Sequence, residues 1–64
     1  MTLILVNSSS IRAVGYNGHA LAVQFHTSPT IYTHPSVPES VYIEFMNAPS
    51  MGAYYNRRIR DRYK

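Results

Sequence analysis

The dipeptide Asn17-Gly18 constrains this chain more than any other feature. Ahead of it runs Ile11 to Tyr16, apolar and rich in strand formers; behind it Leu21, Val23 and Phe25 alternate with Ala22, Gln24 and His26. Asparagine and glycine both accept positive φ, so this pair between two such runs predicts a β-hairpin. Its register is open. A two-residue Asn17-Gly18 loop sets Val14 and Tyr16 on the face of Leu21, Val23 and Phe25; a three-residue loop with left-handed Gly18 sets Ile11 and Ala13 there instead. A slip of one residue exchanges the faces. We favour the three-residue loop, because the alternative places Arg12 directly opposite Val23.

Around this hairpin the other elements fall into order. Leu3 to Val6 reads as a strand, and Thr27-Ser28-Pro29-Thr30 supplies a turn into a further strand, Ile31 to His34. Pro35 ends that ladder, having no N–H to donate. Ser36-Val37-Pro38-Glu39 has the spacing of a capping box, with Pro38 in a first turn that does not need its donor. Val37, Val41, Phe45 and Ala48 then recur at helical spacing until Pro49. Ser50 is a cap for a last helix, on which Tyr55, Ile59 and Tyr63 share one stripe. The expected fold is α+β: a small antiparallel β-meander of two to four strands, about residues 3–34. Two C-terminal helices, about 37–47 and 50–63, follow and pack on one face. With 64 residues, this is one domain spanning 1–64.

A chain of this length buries only about 60% of its unfolded surface, and without cysteine it has no disulfide to help. Either the core suffices or self-association supplements it, so a homo-oligomer is expected. Its longest apolar run, Leu3-Ile4-Leu5-Val6, is far short of the roughly 20 residues of a membrane span. It also lacks the basic start and long apolar region of a signal peptide. No membrane partner and a cytoplasmic setting are therefore expected.

The net charge of +3 is unevenly placed. Residues 1–56 hold Arg12 against Glu39 and Glu44, whereas residues 57–64 hold Arg57, Arg58, Arg60, Arg62 and Lys64 against Asp61. At 100° per residue, Arg58 and Arg62 fall on one flank of the tyrosine stripe and Arg57, Arg60 and Lys64 on the other. Cations suit a helix C-terminus. Yet Arg58/Arg62 and Arg60/Lys64 are like-charged i,i+4 pairs that disfavour an isolated helix. An anionic ligand such as RNA would relieve them through phosphate contacts.

Catalysis finds little support. No thiol is present, Ser8-Ser9-Ser10 lacks a glycine elbow, and the three acids are Glu39, placed at a cap, solvent-facing Glu44, and Asp61. His26 and His34 can approach across the second hairpin with Glu39 as a third ligand. Zinc sites, however, want close-set ligand pairs and second-shell carboxylates, so no metal or other cofactor is expected. Six tyrosines remain. Beside arginines they are suited to stacking on single-stranded bases; as a small core and its rim they serve packing alone.

These motifs together resemble the KTSC domain. The shared pattern is Ser9-Ser10-Ile11, Val14-Gly15-Tyr16, Leu21-x-Val23-x-Phe25, Tyr32-x-His34 and Val37-Pro38-x-x-Val41-Tyr42. Its most specific part is Ser50-x-Gly52-x-Tyr54-Tyr55-Asn56-x-x-Ile59-Arg60-x-x-Tyr63. The family is named for the C-terminus of some lysyl-tRNA synthetases and includes small stand-alone bacterial and phage proteins. The resemblance implies a non-enzymatic binding module for which RNA is the suggested ligand. The alternative is a protein-interaction module, such as an adaptor or inhibitor acting on a host protein. The family's central tyrosine–x–tyrosine motif here ends in His34. The resemblance further implies that Ser50 caps the last helix and that Gly52 brings it close to the sheet. Asn56 and Arg60, four apart, would jointly hold a carbonyl, a carboxylate or a phosphate. Candidate binding residues are thus Tyr32, His34, Tyr54, Asn56, Arg57, Arg58, Arg60, Arg62 and Lys64.

Overall fold

A computed structural model describes residues 2–63. Lys64 lies outside the described residues. Four strands form one antiparallel meander in chain order: β1 (Ile4–Leu5), β2 (Ile11–Tyr16), β3 (Leu21–Phe25) and β4 (Ile31–His34). Two helices follow, α1 (Glu39–Asn47) and α2 (Met51–Tyr54), the second continuing into a π-helical segment, Tyr55–Ile59. The α+β architecture is the expected one.

The hairpin forms at Asn17-Gly18, but with neither expected loop. Tyr16 pairs with Leu21, Val14 with Val23, and Asn17 N–H donates to the Ala20 carbonyl at 3.3 Å. The connection is extended because the Asn17 side chain organises it: Oδ1 accepts from the N–H groups of His19 (3.1 Å) and Ala20 (2.8 Å). Gly18 takes φ 101°, which suits its lack of a Cβ. The favoured three-residue loop is therefore incorrect. A register shift between Ile11 and Ala13 brings Ile11 opposite Phe25. This β-bulge puts Ile11, Val14 and Tyr16 all on the face of Leu21, Val23 and Phe25, and leaves Arg12 exposed. Each simple register places only part of that set.

The expected capping box does not form. Helix α1 begins at Glu39, so its N-cap is Pro38, which makes no side-chain cap bond. Ser36 is too early and sits at φ 57° in a reversal after β4, where the Val37 N–H donates to the His19 carbonyl at 2.6 Å. That bond ties the reversal to the first hairpin. Ser50 does cap α2, its hydroxyl accepting from Ala53 N–H at 3.3 Å. The last helix is shorter than expected. It ends at Ile59 rather than near residue 63, and residues 60–62 form a turn.

The core lies between one sheet face and the helices. Ile11, Val14, Leu21 and Val23 meet Val37, Phe45, Tyr54, Tyr55 and Ile59. Phe45 is fully buried, with the Tyr54 and Tyr55 rings 6.0 and 6.4 Å from its own. Burying such a ring contributes roughly 1.5–3 kcal/mol. Tyr16 stacks on Tyr42 at 4.4 Å and donates to the Val37 carbonyl at 2.7 Å, joining β2 to the approach to α1. Gly52 is required by close approach: a Cβ there would lie 2.9 Å from Ser10 Oγ. The opposite sheet face carries Leu5, Ala13, Gln24 and Ile31 in one cross-strand row. No helix among the described residues is long and apolar enough to cross a membrane.

Candidate functional site

The register of β3 with β4 decides where the central motif points. Val23 pairs with Tyr32 and Leu21 with His34, so both motif side chains take the helix-facing side. On that side, residues of β3, the β3–β4 turn, β4 and the C-terminal helical segment line a cleft of about 420 Å³. Phe25, Tyr32, His34 and Tyr55 contribute aromatic surface; Thr27, Ser28, Asn56 and Arg60 form the polar rim. The rings interlock edge to face, Phe25 with Tyr32 at 5.8 Å, Phe25 with Tyr55 at 5.1 Å and His34 with Tyr55 at 5.4 Å. Offset and edge-on contacts of this kind suit the ring quadrupoles.

His34 is the fixed point of the cluster. It is 7% exposed, and both ring nitrogens are engaged. Nδ1 meets the Tyr63 carbonyl and Nε2 the Tyr55 hydroxyl at 2.8 Å. A carbonyl only accepts, so Nδ1 carries the proton; in the neutral ring, Nε2 then accepts from the Tyr55 O–H. The sequence marks His34 as a candidate binding residue. It is instead a buried clamp joining β4 to the C-terminal segment. Burial is the main cause that raises the Tyr55 phenol above its ordinary 10.0, with Arg60 lowering it and Tyr32 and then Asp61 raising it further.

Tyr32 differs from His34, being 45% exposed at the mouth of the cleft. The exposed Asn56 and Arg60, four residues apart in the π-helical segment and at its C-cap, line the same cleft. In that segment the Arg60 N–H donates to the Tyr55 carbonyl, five residues back, at 2.9 Å. The wider turn changes the angular spacing beyond Tyr54, and π-bulges often occur at functional sites.

The remaining candidates lie elsewhere. Tyr54 is buried, and its hydroxyl donates to Glu44 Oε1 at 2.8 Å. Burial first, then this hydrogen bond and the Glu44 charge, raise its pKa, against a lowering by Arg58. Tyr54 is thus a structural residue and not a displayed aromatic. Arg58 and Arg62 flank a small depression with Val41, Glu44 and Tyr63, and Arg57 lines a groove with Glu44, Pro49 and Tyr54. Arg57 therefore sides with Arg58 and Arg62 around Glu44, not with Arg60 as a uniform 100° spacing predicts. Among the described residues no group of three or more His, Asp or Glu is placed to hold a metal ion. His26 instead directs Nε2 at the Ser8 carbonyl, 2.9 Å away. Sequence reasoning missed Phe25, Thr27, Ser28 and Tyr55 as cleft residues. The Thr27-Ser28 turn joining β3 to β4 was the one available signal.

The KTSC domain family model matches residues 7–63. This chain belongs to that family. No curated protein matches it. Its structure is similar to the crystal structure of a KTSC domain protein from Yersinia pestis, with a TM-score of 0.89 and 29% identity. The match covers 98% of this chain and 90% of that one. In this KTSC domain the specific C-terminal motif divides by role. Ser50 caps, Gly52 permits contact with Ser10, Tyr54, Tyr55 and Ile59 fill the core, and Asn56 and Arg60 face the cleft.

Proposed function

We propose that this KTSC domain is a non-enzymatic binding module for single-stranded RNA. The observation that carries the reading is the cleft in which a half-exposed ring, Tyr32, and a guanidinium, Arg60, face the same space. Unstacked bases pair with aromatic faces, and phosphates with arginine. Arg57, Arg58 and Arg62 lie on the next flank of the same C-terminal segment and extend the positive surface beyond the cleft. The absence of catalysis in this reading is supported by the cleft's own chemistry: the His34 imidazole is held at both nitrogens, and no carboxylate lines the cleft among the described residues.

Fluorescence anisotropy of a labelled oligoribonucleotide, titrated over a series of salt concentrations, tests the reading. Each phosphate contact contributes a slope of about −0.7 in log K against log salt for a single strand. Replacing Arg58 and Arg62 together by glutamine is expected to flatten the slope by about 1.4. No binding at low salt, or affinity indifferent to salt, ends the RNA reading.

A protein-interaction module is the second reading, and different residues favour it. On the helix-free face of the sheet, Leu5 is 74% and Ile31 50% exposed, with Ala13 and Gln24 between them in register. A partner complex lost in Leu5→Asp and Ile31→Asp, yet retained in the arginine variants, would favour this reading over the first.

A further inference from the structure

The cleft has more definition than a general attraction for RNA requires. Its volume of about 420 Å³ lies near the lower end of the range of about 300–1,000 Å³ for small-molecule sites. Its lining combines four rings, those of Phe25, Tyr32, His34 and Tyr55, with the polar side chains of Thr27, Ser28, Asn56 and Arg60. The Tyr32 ring meets Phe25 edge to face at 5.8 Å, is 45% exposed and lines the cleft. The same cleft is lined by Arg60, a fixed cation, and by Asn56, whose amide offers both a carbonyl and an NH₂ group.

The third wall is also prepared. Ser28 Oγ accepts from the Thr30 N–H at 3.1 Å, so its own proton remains to be donated. The Ser28 N–H reaches the Phe25 carbonyl at 3.4 Å, and Gln24 Nε2 donates to the Pro29 carbonyl at 3.2 Å. The turn bearing Thr27 and Ser28 is therefore held from both sides. Arg60 is the one permanently charged side chain lining the cleft among the described residues, so the lining favours an anion.

One chemical group matches a flat ring, a cation and hydroxyl and amide donors within this volume. Building on the RNA reading, we infer that the cleft is a subsite for a single unstacked nucleotide. Its base lies against Tyr32, and its phosphate is held between Arg60 and the Ser28 hydroxyl. Asn56 faces the edge of the base or the sugar. The strand continues from there across the flank of Arg57, Arg58 and Arg62, which supplies affinity without a pocket.

Two measurements on the whole chain test this. Amide chemical shifts are followed during titration with uridine monophosphate, with uridine and with inorganic phosphate. The monophosphate is expected to shift Ser28, Tyr32, Asn56 and Arg60 at lower concentration than either half alone. Shifts that spread over other surfaces, or equal responses to phosphate and monophosphate, overturn the subsite. In the second measurement, Tyr32→Ala is expected to weaken oligoribonucleotide binding about 5- to 150-fold, the range for one stacked base, whereas Tyr32→Phe retains it. Arg60→Gln should lower the salt slope by about 0.7. Thermal melts confirm that each variant is folded. If the oligonucleotide binds and responds to Arg58→Gln/Arg62→Gln but is indifferent to Tyr32→Ala, the subsite fails while the RNA reading stands. If no oligonucleotide binds, the RNA reading itself fails.

Discussion

Gly52→Ala sets two effects of similar size against each other. Alanine gains about 0.8–1 kcal/mol over glycine in a helix interior, and less at the start of a segment as short as α2. Against this, the new Cβ would lie 2.9 Å from Ser10 Oγ and 3.0 Å from Ser10 Cβ, where ordinary contact begins at 3.4 Å. Rotation about χ1 can move the oxygen, but the Ser10 Cβ moves only with its backbone. That backbone is held on both sides: Ser10 N–H donates to Ser8 Oγ at 3.2 Å, and its carbonyl accepts from His26 N–H at 3.1 Å. Forcing an extra carbon into such a contact costs about 1–3 kcal/mol. Strain wins, and the net expectation is a loss of about 1 kcal/mol, or about 4–8 °C in Tm for a domain of this size. Urea denaturation of the parent, Gly52→Ala, Ser10→Gly and the double variant completes a cycle. Ser10→Gly removes both clashing atoms, so the double variant should recover about 1 kcal/mol relative to the sum of the singles. A Gly52→Ala protein at least as stable as the parent, or a cycle with no coupling, refutes the reasoning.

Two other outcomes follow from the buried rings. Tyr55→Phe removes the donor to His34 Nε2 and leaves a buried acceptor unmatched, which should cost about 1–3 kcal/mol in urea denaturation. Adding His34→Phe should cost less than additivity predicts, and strictly additive losses would show that the two side chains do not interact. The alkaline limb of stability should also reflect Tyr16, Tyr54 and Tyr55, all raised chiefly by burial above 10.0. A raised phenol keeps its proton longer in the folded state, so its contribution is complete below pH 10 and is lost as pH climbs from there through the folded value. Tyr54→Phe should lose less stability over that limb. Stability that increased above pH 10 would contradict the direction of these shifts.

What the sequence discloses is local, and what it conceals comes from tertiary contact. Asn17-Gly18 marks the hairpin because its signal needs only neighbouring φ angles, and Ser50 marks a cap for the same reason. The register is concealed because the Asn17 side chain lengthens the connection to Ala20 and the bulge beside Arg12 then shifts the pairing. The failed capping box has a similar cause: spacing gives a serine and a glutamate three apart, but the bond from Val37 to His19 fixes the reversal around Ser36. The π-helical segment did leave a trace. That trace is slight: Tyr55 and Ile59 keep ordinary four-residue spacing, and only the added burial of Tyr54, five residues before Ile59, departs from one α-helical stripe. The cleft left less, because Phe25 and Ser28 meet Asn56 and Arg60 only once the helices have docked.

The departure at His34 bears on how that cleft holds its shape. A phenol bonds through one terminal oxygen, whereas an imidazole bonds from two nitrogens on different sides of its ring. His34 uses both, reaching the Tyr55 hydroxyl at one end of the π-helical segment and the Tyr63 carbonyl beyond the other. Asn56 and Arg60 lie between those two anchors along the chain, and Tyr32 lies two residues before His34 on β4. One buried ring therefore ties β4, which carries Tyr32, to the segment that carries Asn56 and Arg60. Weakening it should loosen Arg60 relative to Tyr32 even where the fold survives. Under the proposed RNA reading, the histidine would act on binding by positioning, and the contact would fall to Tyr32.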